Sequence, residues 1–155
     1  MGLIRSIFNW AREDLTRQAY ADPAPAAKPP IHELQRVDIV GESNYQRELH
    51  ALAGDPQRTE HGVSVWVCAD LVPEPGNPYD KNAVACRVDG VTVGYLSRAQ
   101  AVAYHAMLKK LGRPRHEPIV DIEAEIRGGF RGDGFNASYG LALYMAPTVA
   151  ALLNA

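Results

Sequence analysis

Between Val63 and Leu71 the chain alternates without interruption. Val63, Val65, Val67, Ala69 and Leu71 fall on one side, and Ser64, Trp66, Cys68 and Asp70 on the other. Successive strand side chains point to opposite faces, so this period of two predicts a half-buried strand. The same period returns where Val120, Ile122, Ala124 and Ile126 interleave with Asp121, Glu123, Glu125 and Arg127, predicting a strand with a solvated outer face. Shorter apolar runs at 36–41, 83–88, 92–96 and about 137–145 predict further strands, and Asp89-Gly90 between two of them is a tight-hairpin signal. The spacing changes at 43–53, where Tyr45, Leu49 and Leu52 align at helical intervals. It changes again at 98–111, where Ala101, Tyr104, His105, Leu108 and Leu111 do so behind Ser97, a residue suited to cap a helix N-terminus. The pattern predicts a mainly β, α+β fold: a small, partly open, OB-like β-barrel with two helices.

The flanks follow other rules. Leu3, Ile4, Ile7, Phe8, Ala11 and Leu15 recur at helical spacing, with Arg5, Arg12, Glu13 and Arg17 elsewhere on the wheel, so residues 1–20 are expected to form an amphipathic helix. Pro23, Pro25, Pro29 and Pro30 mark 21–34 as a stiff, extended linker, because proline fixes φ and lacks a backbone donor. The domain is then expected at 35–147, with 148–155 as a tail. The amphipathic helix is a candidate for docking on a protein partner or on the domain itself.

Composition narrows the possibilities. With 155 residues, 46% hydrophobic, the chain is long enough to bury a core without staples, and its two cysteines show no C-x-x-C spacing. A reduced, cytoplasmic setting without integral membrane association is expected, since no apolar run approaches ~18 residues. A formal net charge of −2 argues against a protein that tracks a long phosphate backbone. Cys68, Cys86 and the five histidines lack metal-ligand spacing, so no metal or other cofactor is expected. The glycine-rich segment 127–136 lacks the lysine and Ser/Thr of a nucleotide-binding P-loop.

The most informative segment is VPEPGNPYDKNAVACRV (72–88), followed by VGYL at 93–96. Asn77-Pro78 starts a turn, and a bulky Tyr79 just after it is available either as a stacking platform for a base or as packing at the edge of the core. An ionised Asp80 accepts hydrogen bonds, which suits a hydroxyl and not a phosphate. Asp80 and Asn82 are equally able to tie the turn through Asx-type bonds to nearby amides.

These residues, with VGESNYQ at 40–46, resemble the signature of the HIRAN domain family over roughly 110 residues, a normal domain size. That family includes the N-terminal domain of helicase-like transcription factor, related DNA-damage-tolerance translocases and small stand-alone bacterial proteins. The resemblance implies a non-catalytic module that binds single-stranded DNA at a free 3′-hydroxyl. Tyr79 would stack on the terminal base, Asp80 would contact the hydroxyl, and Arg98 would assist with phosphate. Eukaryotic members carry an arginine and two tyrosines after their first Val-Gly strand. Here Ser43 and Asn44 fall on the arginine and the first tyrosine, and Tyr45 either takes the sandwiching role or packs under the barrel. Lys81 and Phe135 complete the candidate contacts. The competing expectation is a protein-interaction adaptor using the barrel and the N-terminal helix, and no constellation supports a third, a metal-dependent hydrolase.

Three features sit outside this scheme. Lys109, Lys110, Arg113 and Arg115 are expected to be a solvated helix end, with phosphate contact as the alternative. Arg127, Phe130, Arg131 and Phe135 in the glycine-rich loop suit either a flexible hairpin or stacking on nucleic acid. Glu123 and Glu125 are expected to be solvated, and His105 to be a hydrogen-bonded core histidine.

Overall fold

The structure, a computed structural model, describes residues 30–57, 59–132 and 135–155, with Phe135 and Asn136 as backbone only. The expected helix at 1–20 and most of the linker lie outside the described residues. Of the linker's end, Ile31–Glu33 form a 3-10 turn and Leu34 packs partly against the core.

The strands are β1 (Gln35–Asp38), β2 (Val63–Pro73), β3 (Val84–Val88), β4 (Val91–Tyr95), β5 (Ile119–Gly128), β6 (Arg131–Gly132), β7 (Phe135–Asn136) and β8 (Tyr139–Met145). Six form one antiparallel sheet in the order β1-β8-β5-β2-β3-β4, and β6 and β7 form a small ribbon. By its ladders the sheet is open. Just beyond β1, however, Val40 donates to the Tyr95 carbonyl at 2.8 Å and accepts from the Tyr95 amide at 2.9 Å, so one bridge joins the two edges. Barrel topology in the OB sense goes beyond that single bridge.

Among the described residues three helices accompany the sheet: α1 (Gln46–Leu52), α2 (Arg98–Lys110) and α3 (Pro147–Leu153). Ser97 caps α2 in a reciprocal box. Its Oγ accepts from the Gln100 amide, and its own amide donates to the Gln100 side chain. The third helix corrects the expected tail at 148–155. Proline at its start suits the first turn of a helix, and Val149, Ala150 and Leu153 are buried against α2, β1 and β8. The hairpin at Asp89-Gly90 has positive φ at both central residues, 50° and 77°, as a type I′ turn requires.

One continuous core joins these elements, with Val37, Leu71, Val93, Tyr104, Ile122 and Leu143 among its closed-off side chains. In β2 the alternation emerges as read from the sequence, but β5 slips. Ile119, not Val120, is buried, because the register shifts between Ala69 and Leu71. Asp121 occupies the left-handed region there (φ 57°), and its amide donates to Asp70 Oδ1 at 3.1 Å. Glu125, expected in solvent, is only 4% exposed. Ser64, Arg127 and Tyr144 all reach its carboxylate, and the Trp66 ring lies tilted against Tyr144 beside it, with centroids 5.2 Å apart at 51°. Burial would raise its pKa, and these three donors outweigh burial and lower it.

The described part of the glycine-rich loop contributes strand backbone. β5 runs through Gly128, and the β6–β7 ribbon follows. Tyr139 fastens its base to α1 through the Gln46 side chain and a 2.6 Å hydrogen bond between its hydroxyl and His50 Nδ1.

Candidate functional site

A broad concavity lies where β2 ends, β3 and β4 meet, and α2 begins. It is an open cavity of about 750 Å³, walled by the 74–80 turn, Asn44 and Tyr45, Tyr95 and Leu96, and Arg98. Its position follows from the chain. The turn leaves β2 at Glu74 and returns to β3 at Ala83, where the Glu74 amide donates to the Ala83 carbonyl at 2.8 Å. The Val40–Tyr95 bridge brings the Glu42–Asn44 turn and Tyr45 to the opposite wall.

Inside the turn Asn77 is the organiser. Its Oδ1 accepts from the amides of Tyr79 (2.9 Å) and Asp80 (3.1 Å), and its Nδ2 donates to Glu74 Oε1 at 3.1 Å. This is the Asx arrangement that fixes a turn with side-chain oxygens. Asp80 adds a second brace, accepting from the Asn82 amide through Oδ1 at 2.8 Å. Its Oδ2 accepts no hydrogen bond among the described residues. Asn82 takes part through its backbone. The tying role weighed for its side chain belongs to Asn77 instead.

So braced, the turn holds Tyr79 out from the protein with 89% of its surface exposed. That exposure excludes core packing and leaves both ring faces accessible. Tyr45 is half-buried, its ring centroid 6.5 Å from that of Tyr95. Arg98 stands exposed in the first turn of α2, where the positive end of the helix dipole also faces anions. Of the candidate residues, Asn44, Tyr45, Tyr79, Asp80 and Arg98 thus come together on one cavity. Lys81 is exposed but forms no part of its wall. Phe135 is paired with Gly132 in the ribbon, and its side chain lies outside the description.

Glu74 and Tyr95 are functional candidates that sequence reasoning missed. Glu74 accepts from Tyr95 OH (3.1 Å) and Arg87 Nη2 (3.1 Å) as well as from Asn77. Burial works to raise its pKa, but these donors and the Arg87 charge hold it below the ordinary 4.5. Burial first, then Tyr45 and Glu74, push the Tyr95 hydroxyl up, so it remains a neutral donor. The available signal was the carboxylate three residues before Asn77 at the mouth of a Pro-Gly turn.

Glu74→Gln is expected to cost about 1–3 kcal/mol at pH 7, since it removes a charged acceptor from three donors. Because the folded pKa of Glu74 is depressed, its contribution is complete above 4.5 and disappears as pH falls through the lower folded value. Denaturant unfolding of both proteins at pH 7 and at pH 3 should therefore show a gap that narrows in acid.

The cavity pairs exposed aromatic surface with a carboxylate acceptor and one cation at its rim. No family model matches the chain. No curated protein matches it either. Among solved structures, the crystal structure of the HIRAN domain of human HLTF is similar to it, with 18% identity over 77% of this chain and 82% of that chain and a TM-score of 0.33.

Proposed function

We propose that this chain is a binding module for the end of a single nucleic-acid strand, with a 3′-hydroxyl on DNA as its preferred terminus. The observation that carries the reading is the braced turn that projects Tyr79 into solvent beside the half-committed carboxylate of Asp80. Such exposure of an aromatic ring brings no stability to the fold, whereas every nucleobase offers a face for it to stack on. The free oxygen of Asp80 accepts from a hydroxyl and repels a phosphate, and this favours a terminus over an internal position in the strand. Arg98 and the start of α2 supply one site for the phosphate that follows. The choice of the 3′ end rests on the resemblance of the NPYDKNAV segment to the HIRAN signature. A formal charge of −2 on the whole chain agrees with contact to few phosphates.

An end-reader has a simple diagnostic. A labelled linear strand of about 20 nucleotides should bind, and the same sequence ligated into a circle should not compete for it. Equal competition by the circle would overturn end recognition.

A further inference from the structure

On the other side of the same turn lies a second cavity, of about 410 Å³, between Asn82, the last turns of α2 and the segment that follows. We propose that it is an anion site which takes a backbone phosphate of the strand whose end is held at Tyr79, an inference that rests on the function proposed above. Its walls include His105 and Lys109 from α2 and Arg113, Arg115 and His116 from beyond it, and no carboxylate.

The cations differ in what they already do. Arg113 is committed, gripping Glu117 through two hydrogen bonds of 2.7 and 2.8 Å. Lys109 lies in the last turn of α2, where it also offsets the negative end of the helix dipole. Arg115 belongs to the following segment, which the helix end does not require. Neither Lys109 nor Arg115 forms an ion pair among the described residues. Lys109 and Arg115 share one concavity that no carboxylate lines, an arrangement that an anion stabilises.

His116 is the second observation. Its backbone sits in the left-handed region at φ 63°, sparsely populated for a residue with a side chain. Its Nδ1 is shielded from solvent yet has no hydrogen-bond partner, a situation that costs free energy until a partner arrives. The ring stands edge-on to His105, with centroids 5.6 Å apart at 83°. His105 in turn is oriented by Asn82, whose carbonyl is 3.1 Å from Nε2. A carbonyl only accepts, so Nε2 carries the proton and donates to Asn82. The Asp80 brace on the Asn82 amide therefore links the two cavities through one short piece of backbone.

The test uses the full chain and the double variant Lys109→Ala with Arg115→Ala. Both positions are exposed, and a charge-reversed pair (Lys109→Glu with Arg115→Glu) serves as a second variant. For a strand of about 12 nucleotides with a 3′-hydroxyl, removing one phosphate contact should reduce the slope of log affinity against log salt by about 0.7. The preference for a 3′-hydroxyl over a 3′-phosphate should persist in the double variant. Inorganic pyrophosphate should shift the imidazole NMR signals of His105 and His116 in the wild type and require at least about tenfold more ligand in the variant, equivalent to ~1.4 kcal/mol. An unmoved salt slope overturns the proposal, and so do imidazole signals blind to pyrophosphate. Either result leaves end recognition standing if the hydroxyl preference holds. Conversely, a reduced slope and a pyrophosphate response with no end preference would support the anion site and sink the end-reader.

Discussion

Replacing Tyr79 with alanine should weaken single-strand binding by about 5- to 150-fold, the equivalent of ~1–3 kcal/mol for one lost base stack. The same change should leave the melting temperature almost unmoved. With 89% of its surface in solvent, Tyr79 removes little apolar area from water in the fold, and the turn around it is held by Asn77 and Asp80. Surface changes of this sort typically fall within about ±0.5 kcal/mol. Tyr79→Phe keeps the ring face and should keep most of the affinity. Titration of a labelled strand by anisotropy, with a thermal melt of each variant, separates the two effects. A Tyr79→Ala protein that binds as tightly as the wild type would remove the aromatic half of the account.

The other large effect is expected at Gly94, and it acts on the scaffold. A Cβ there would stand 2.9 Å from the Val40 carbonyl oxygen and 2.6 Å from Cδ1 of Ile39. The isoleucine side chain can give way, but the carbonyl is backbone and already accepts from the Tyr95 amide. Gly94→Val would have to push apart the Val40–Tyr95 bridge between the sheet's two edges. Overpacking in a close-packed interior together with the lost bridge is expected to cost about 3 kcal/mol or more. Because that bridge also sets Tyr45 against Tyr95, strand binding should fall with stability. Denaturant unfolding of Gly94→Val and Gly94→Ala measures it, with the larger side chain costing more. A valine variant as stable as the wild type would show that the close approach at Gly94 is not a constraint.

Much of this fold was legible because local chemistry and tertiary demand agree. The strict alternation at 63–71 needs only one buried face, and Asp89-Gly90 supplies the two positive φ values its hairpin requires. At Val120 that agreement fails. The bulge depends on Asp70 reaching the Asp121 amide across 51 positions, and no local period contains such a bond. Glu125 escaped for the same reason, since Ser64 and Tyr144 come from two other strands. α3 was signalled by Pro147 and the spacing of Val149, Ala150 and Leu153, but its brevity hides it until α2 and β1 are there to cover its apolar side. At the site, Tyr79 and Asp80 stand out because they sit in one unusual motif, and Arg98 follows it two residues after the VGYL strand. Glu74 and Tyr95 are separated by 21 positions and acquire meaning only when the turn and the edge strand are folded together.

The central claim concerns the terminus, so the decisive measurement varies nothing else. One 5′-labelled strand of about 12 nucleotides is prepared with either a 3′-hydroxyl or a 3′-phosphate and titrated with the full chain at fixed salt. A hydrogen bond to a charged acceptor is worth ~1.5–3 kcal/mol, so the hydroxyl strand should bind at least about tenfold more tightly, and Asp80→Asn should reduce that ratio. Equal affinity for the two strands, or tighter binding of the phosphate, would contradict the account.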